Sequence, residues 1–149
     1  MSIAITQYDD SLKESLFKFY DECFPKIGKP FDPDGRHDFY NRIPEFFDSF
    51  WCLADEGTVK GSVAIRRFSE DTAELKALYL AEELRGKGFG HKLFDTAITY
   101  AREQGYRRVV LDSMKSYEDA RRLYDRYGFK EIASYNDNTF AEVFMELVL

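Results

Sequence analysis

The hexapeptide Arg85-Gly86-Lys87-Gly88-Phe89-Gly90 holds the chain's densest run of glycine and positive charge. It follows the strand-like stretch Glu74 to Leu80 and the acidic turn Ala81-Glu82-Glu83-Leu84, and it leads into a helical pattern from His91. Glycines let a backbone approach a ligand closely. A helix start presents unpaired N–H groups and a partial positive charge. Together they form an anion site whose usual occupant is phosphate. The expectation is a loop that holds a cofactor's pyrophosphate, with a transfer site built beside it. Taken alone the pattern is weak, because similar turns occur without any ligand. Two specific readings fail. The run lacks the Gly-Lys-Ser/Thr of a P-loop. Its glycine spacing and mid-chain place do not fit a dinucleotide fingerprint.

The elements that must position this loop follow from periodicity. Ile3 to Tyr8 alternates like a strand, and Asp9-Asp10-Ser11 suits the start of a helix carrying Leu12, Leu16, Phe19, Tyr20 and Cys23. Pro25 closes that helix. A Pro/Gly loop runs to Gly35, and Phe39, Ile43 and Phe47 suggest a second helical segment broken at Pro44. This aromatic region is either a cleft wall or an ordinary surface connection. Strands are expected over Phe50 to Ala54, Val59 to Phe68 and Glu74 to Leu80, with Leu75, Ala77 and Tyr79 on one face and Lys76, Leu78 and Leu80 on the other. The helix after the loop buries Gly90, Leu93, Phe94, Ala97, Ile98 and Ala101 and stops at Gly105. Arg107 to Asp112 is a central strand. Ser116 can cap a helix with an apolar face of Ala120, Leu123, Tyr124 and Tyr127, ended by Gly128. Phe129 to Ala133 and Phe140 to Val148 complete the order β-α-α-β-β-β-α-β-α-β-β. That is a mixed α/β (α+β) layer with a largely antiparallel central sheet flanked by helices.

The 149 residues suit one domain with a substantial core. Residues 1–56 carry twelve Asp/Glu and six Lys/Arg, whereas residues 57–149 carry fifteen of each. The net charge of −6 thus originates in the N-terminal third, which also holds twelve of the 25 aromatics. An acidic chain without a basic stripe argues against nucleic-acid binding. The acidic, aromatic segment is compatible with a cationic small partner. No apolar run reaches membrane-span length, and the N-terminus has no signal-peptide pattern. Cys23 and Cys52 sit in apolar patterns and suit buried reduced thiols of a cytoplasmic protein. No metal site is expected.

A second block, Ala120-Arg-Arg-Leu-Tyr124-Asp-Arg-Tyr-Gly128-Phe129, accompanies the loop. Together, Arg85-x-x-Gly88-x-Gly90 after a Leu-Tyr-Leu strand and Ala-x-x-Leu-Tyr-x-x-x-Gly-Phe resemble the acyl-CoA loop and the later block of the GNAT superfamily of N-acetyltransferases. The match of residues 74–130 is specific, and that of residues 1–56 is architectural.

The resemblance implies an acetyl-CoA-dependent N-acyltransferase in which a primary amine, on a small molecule or a peptide, attacks the thioester directly through a tetrahedral intermediate. Backbone N–H groups of residues 85–90 would hold the CoA pyrophosphate, with Arg85 and Lys87 adding charge and His91 and Lys92 nearby. The edge of Leu78, Tyr79 and Leu80 would pair with the pantetheine arm. That pairing requires the strands of Leu75 and Arg108 to splay apart at one end. Tyr124 would protonate the departing thiolate; its place on an apolar face also suits a core residue. Glu74 matches the general base of relatives that acetylate protein lysines, while other relatives use ordered water. Many relatives carry Asn where this chain has Tyr117; Ser116 beside it offers a hydroxyl for that cofactor contact. A GNAT domain that binds acyl-CoA without turnover is the rival reading, and a homodimer stays open as the assembly.

Overall fold

The computed structural model describes residues 2–149. Seven strands form one sheet: β1 Ile3–Gln7, β2 Ser49–Asp55, β3 Thr58–Arg67, β4 Thr72–Leu80, β5 Arg108–Ser113, β6 Lys130–Glu131 and β7 Val143–Val148. Their spatial order is β1-β2-β3-β4-β5-β7-β6. Every neighbouring pair is antiparallel except β4 and β5. Local chemistry explains the connections. Glu56 and Gly57 both adopt positive φ (49° and 84°), the backbone a two-residue hairpin requires. A helix returns the chain from β4 to β5, as a parallel pair demands.

Four α-helices flank the sheet: α1 Lys13–Cys23, α2 Ile43–Phe46, α3 Phe89–Glu103 and α4 Glu118–Tyr127. The Asp9 carboxylate accepts the Ser11 N–H at 2.8 Å and opens the turn before α1. Pro44 lies in the first turn of α2 after a 3-10 turn over Asp38–Arg42, so the expected kink is a new start. Gly105 and Gly128 end α3 and α4 with positive φ.

Each face of the sheet carries a core. The α3/α4 face buries Val63, Ile65, Ala73 and Leu75 against Leu93, Phe94, Ala97, Ile98 and Ala101, with Tyr124 and Phe129 beside them. The α1/α2 face buries Leu16, Tyr20, Phe24, Tyr40, Phe47 and Phe50. The aromatics of the N-terminal third therefore pack mainly on one another. Tyr20 is central: its ring lies 4.7 Å from Phe24, 4.9 Å from Tyr40 and 5.5 Å from Tyr79. Among the described residues, no helix is long and apolar enough to cross a membrane.

Several boundaries differ from the sequence expectation. Helix α4 starts at Glu118, and its N-cap is Tyr117 with no side-chain cap bond, so Ser116 does not cap it. Strand β7 starts at Val143 instead of Phe140, because an Asn138–Ala141 turn holds Phe140 out and β5 ends opposite Val143. Strand β6 shortens to two residues for want of further register with β7. Glu74 lies inside β4, which begins at Thr72.

The two-fold alternation expected along β4 is broken as well. Ala73 and Leu75 face the α3/α4 core, yet so do Leu78 and Leu80, while Ala77 and Tyr79 pack on the opposite core. The phase shift comes from a β-bulge. Lys76 opposes Ala64 and Tyr79 opposes Ser62, leaving Ala77 and Leu78 against the single residue Val63. Ala77 has φ 58°, in the left-handed region that a non-glycine residue seldom occupies. A buried hydrogen-bond chain holds it there. Ser62 Oγ donates to the Ala77 carbonyl at 2.6 Å, and the Tyr20 and Ser62 hydroxyls lie 2.8 Å apart.

Candidate active site

The central feature is a split in the sheet. Strands β4 and β5 pair over three rungs only, Thr72 to Glu74 against Arg108 to Val110. Beyond Glu74 they part. Strand β5 stays paired with β7 along all six residues, and β4 stays on β3 as far as Leu80 opposite Gly61. The bulge at Ala77 raises the local twist and turns the far half of β4 away from β5. The β4 edge at Leu78, Tyr79 and Leu80 thus has no strand partner on the β5 side. Unpaired edge groups can accept an extended chain bearing amides.

The Gly-rich loop stands at the end of that edge. Leu84 is buried and anchors the acidic turn, after which Arg85, Gly86, Lys87 and Gly88 are all exposed. Gly86 and Gly88 have φ of 76° and 86°. No protein atom lies within 4 Å of where a Cβ would project from either, so conformation rather than crowding calls for glycine. Helix α3 begins at Phe89, and Lys92 donates to the Gly88 carbonyl at 3.1 Å. The N–H groups ahead of Lys92 lie at the positive end of a fifteen-residue helix. Gly90 sits close to Leu80, tying loop and strand edge together. His91 packs on the Tyr127 ring and Lys92 on Phe89, so both side chains have protein partners. The loop fits a diphosphate: open backbone, exposed cations and a helix dipole converge.

Glu74 marks the base of the split. It is 3% exposed, on the α1/α2 side of the sheet. The Tyr135 hydroxyl donates to its Oε2 at 2.7 Å, while Lys76 and Arg66 approach Oε1 at 3.8 and 3.9 Å. A buried carboxylate survives only with such partners. Burial first, then the Glu74 charge, push the Tyr135 phenol far above its ordinary range, so it stays a donor.

Tyr124 approaches from the other face, on α4. Its ring packs 5.6 Å from Phe94 and 5.9 Å from Phe129, which makes it a core residue in its own right. Burial raises its phenol well above the usual range, and the charge of Asp112 and the Tyr117 phenol push the same way. It is therefore protonated at neutral pH and has a proton to donate. Asp112 sits near the end of β5, held by Asn136 Nδ2 at 2.7 Å. Tyr117 is half-buried at the start of α4, and Ser116 beside it is exposed. Glu74 and Tyr124 thus flank the split from opposite sides of the sheet.

Sequence reasoning missed three participants. Tyr135 lies between the last two expected strands, and nothing local in the sequence shows that it returns to Glu74. Ser62 sat unmarked in a strand, and the bulge it holds falls on Ala77, where glycine would have been the warning. Lys29 was one cation in a Pro/Gly loop; its Nζ donates to the Tyr79 hydroxyl at 3.0 Å. A groove of about 620 Å³ between α1 and the far end of β3 and β4 has Arg85 on its rim and reaches neither Glu74 nor Tyr124. No cluster of three metal-ligating side chains occurs among the described residues.

The sheet is mixed, its two parallel strands part beyond Glu74, and a helix starts beside the opening. The acetyltransferase (GNAT) family model matches residues 13–129, and the chain belongs to this family. It is 33% identical over 87 residues to the uncharacterized N-acetyltransferase YjgM of Escherichia coli (strain K12), covering 56% of this chain and 52% of that protein. It is 34% identical over 94 residues to human N-acetyltransferase 8B, covering 60% of this chain and 41% of the relative. The chain spans about half the length of these relatives, or less. The fold is that of an acetyltransferase from Streptococcus agalactiae (TM-score 0.88, 22% identity, 100% and 99% of the two chains). It also matches the PaiA N-acetyltransferase of Thermoplasma acidophilum, solved in complex with coenzyme A (TM-score 0.81, 19% identity, 100% of both chains).

Proposed function

We propose that this protein is an N-acetyltransferase that moves the acetyl group of acetyl-CoA to a primary amine. The observation that carries the reading is the split beyond Glu74. It joins an unpaired strand edge, a diphosphate-sized loop and two proton-handling groups in one cleft. Residues 85–90 hold the pyrophosphate through backbone N–H groups, with Arg85 and Lys87 adding charge, and the edge at Leu78 to Leu80 binds the pantetheine amides. Ser116 and Tyr117 sit where α4 meets the cofactor arm.

The reaction removes two protons from the acceptor ammonium and supplies one to the departing thiolate. Glu74, held by Tyr135 with Lys76 and Arg66 near its other oxygen, takes one proton from the acceptor ammonium, directly or through a water. The amine nitrogen then attacks the thioester carbonyl carbon to give a tetrahedral intermediate. As the C–S bond breaks, the Tyr124 hydroxyl donates its proton to the departing sulfur; the nitrogen's second proton restores the phenol through solvent, and Glu74 releases its proton to solvent. Holding thioester and amine together supplies most of the acceleration, and acid–base help adds a factor on the order of 10²–10⁴.

Thiol release from acetyl-CoA across a panel of amines tests the reading. Amine-dependent release is expected. A Tyr124→Phe protein should turn over roughly 10–100-fold more slowly with little change in acetyl-CoA affinity. Equal turnover would return Tyr124 to the core alone. A CoA-induced thermal shift without release for any amine would make the protein a binding domain instead.

A further inference from the structure

The acidic N-terminal third carries its acids at the surface. Eleven of its twelve carboxylates are exposed, and the twelfth, Asp55, is partly so at the β2–β3 hairpin. The charge this segment turns inward is positive. Lys29 is half-buried, with its Nζ 3.0 Å from the Tyr79 hydroxyl and 5.0 Å above the Phe24 ring. Tyr79 stands on the unpaired half of β4, on the acceptor-facing α1/α2 side.

Arg36 comes from the same loop. Its guanidinium lies 4.0 Å over the Phe140 ring, which is 60% exposed on the β6–β7 connection across the cleft. Neither Lys29 nor Arg36 makes an ion pair among the described residues. By contrast, the carboxylates on this side are already engaged: Glu74 by Tyr135, Lys76 and Arg66, and Asp112 by Asn136. Burial, then the positive charge of Arg36, lowers the Lys29 pKa to about 8. Lys76 adds to the drop, whereas Asp112 and the Cys23 thiol oppose it. Arg36 is exposed and near enough for its charge to act on the half-buried Lys29; the Asp32 carboxylate accepts the Arg36 backbone N–H at 3.2 Å, and neither cationic side chain is ion-paired among the described residues, so both are available to an anion.

Resting on the N-acetyltransferase reading above, we propose that the acceptor carries a carboxylate, seated between Lys29 and Arg36 while its amine points to Glu74. The acceptor class is an amino acid or a short acidic peptide, not a polyamine. A lysine ammonium, a phenol hydroxyl and a guanidinium fork together match a planar carboxylate.

Matched pairs test this: amino acids against their carboxamides, with an aminoalkyl phosphate and a polyamine as further arms. The native protein should favour the carboxylate by about tenfold or more in kcat/KM. In Lys29→Met and Arg36→Gln proteins that carboxylate-to-carboxamide ratio should fall toward one, mainly through KM, and Lys29→Arg should restore part of it. A CoA-induced thermal shift reports that each variant is folded. Preference should also fade as pH rises through about 8, where Lys29 loses its charge.

Equal use of both partners, preference for the polyamine, or a ratio unmoved by either substitution overturns the proposal. A phosphate preference that depends on Lys29 and Arg36 overturns the carboxylate assignment. If no amine reacts, the transfer reading has failed, and calorimetry of N-acetyl amino acids against their carboxamides with CoA present decides the anion site. Tighter binding of the acid, lost in Lys29→Met, supports the site; no difference overturns it.

Discussion

The Tyr135 hydroxyl and the Glu74 carboxylate meet at 2.7 Å across 61 residues of sequence. This bond joins the β6–β7 connection to the last paired rung of β4. One carboxylate oxygen is occupied by Tyr135, and the other faces Lys76 and Arg66 at longer range.

Two substitutions separate orientation from chemistry at this pair. Glu74→Gln should lower kcat/KM by about 10² and alter the pH–rate profile. Tyr135→Phe keeps the base and removes its anchor, so the fall should be smaller, roughly tenfold, with the profile's shape retained. Steady-state kinetics across pH measures both. An unchanged profile in Glu74→Gln would remove Glu74 from proton transfer.

The bulge predicts a link between a buried serine and cofactor binding. Ser62→Ala removes the partner of the part-buried Ala77 carbonyl and of the fully buried Tyr20 hydroxyl. The expected loss is about 1–3 kcal/mol in denaturant unfolding. Because Ala77 sets the course of the edge at Leu78 to Leu80, the acetyl-CoA KM should rise as well. Lost stability with an unaltered KM would show that the split holds its shape without this chain.

At the helix start, Gly88→Ala should cost about 1–2 kcal/mol from backbone strain, since φ is 86° and no atom obstructs the new methyl. Gly105→Ala is the matched control: φ 85°, equally open, at the other end of α3. Both should lose similar stability, but only Gly88→Ala should weaken CoA binding, read by calorimetry. Equal CoA affinity in the two variants would exclude the loop from phosphate binding.

His37 gives a stability test independent of catalysis. It is buried among Phe24, Phe31 and Tyr40, and its Nδ1 accepts the Asp32 N–H at 2.9 Å. Burial, then the nearby Lys29 and Arg36 charges, lower its pKa from 6.5 to about 4. Between those values the unfolded chain binds the proton and the folded one does not, so stability falls as pH drops from about 6.5 toward 4. The contribution between pH 7 and pH 5 is on the order of 1–2 kcal/mol. His37→Asn keeps an acceptor and removes the titration. Its melting temperature should vary less with pH over that interval, and an equal slope in both proteins would place the acid sensitivity elsewhere.

Much of this molecule follows from local sequence. Periodicity and punctuation decide the helices, because the apolar face of α3 and stops such as Gly105 and Gly128 act within a turn or two. The loop at residues 85–90 is legible for the same reason: glycine spacing and a helix start are local facts. The resemblance of the two blocks adds the family, and the family match bears it out.

What the sequence could not decide depends on contacts far apart along the chain. The bulge that reverses the facing of β4 needs Ser62 and Tyr20, neither adjacent to Ala77. The burial of Glu74 needs Tyr135 from a loop that gave only a turn signal. The placement of charge is of the same kind: the acids of residues 1–56 are exposed or partly so, whereas Lys29 lies half-buried over aromatic rings. Composition sums charge over a segment; only the tertiary fold decides which of those charges a ligand in the cleft would meet.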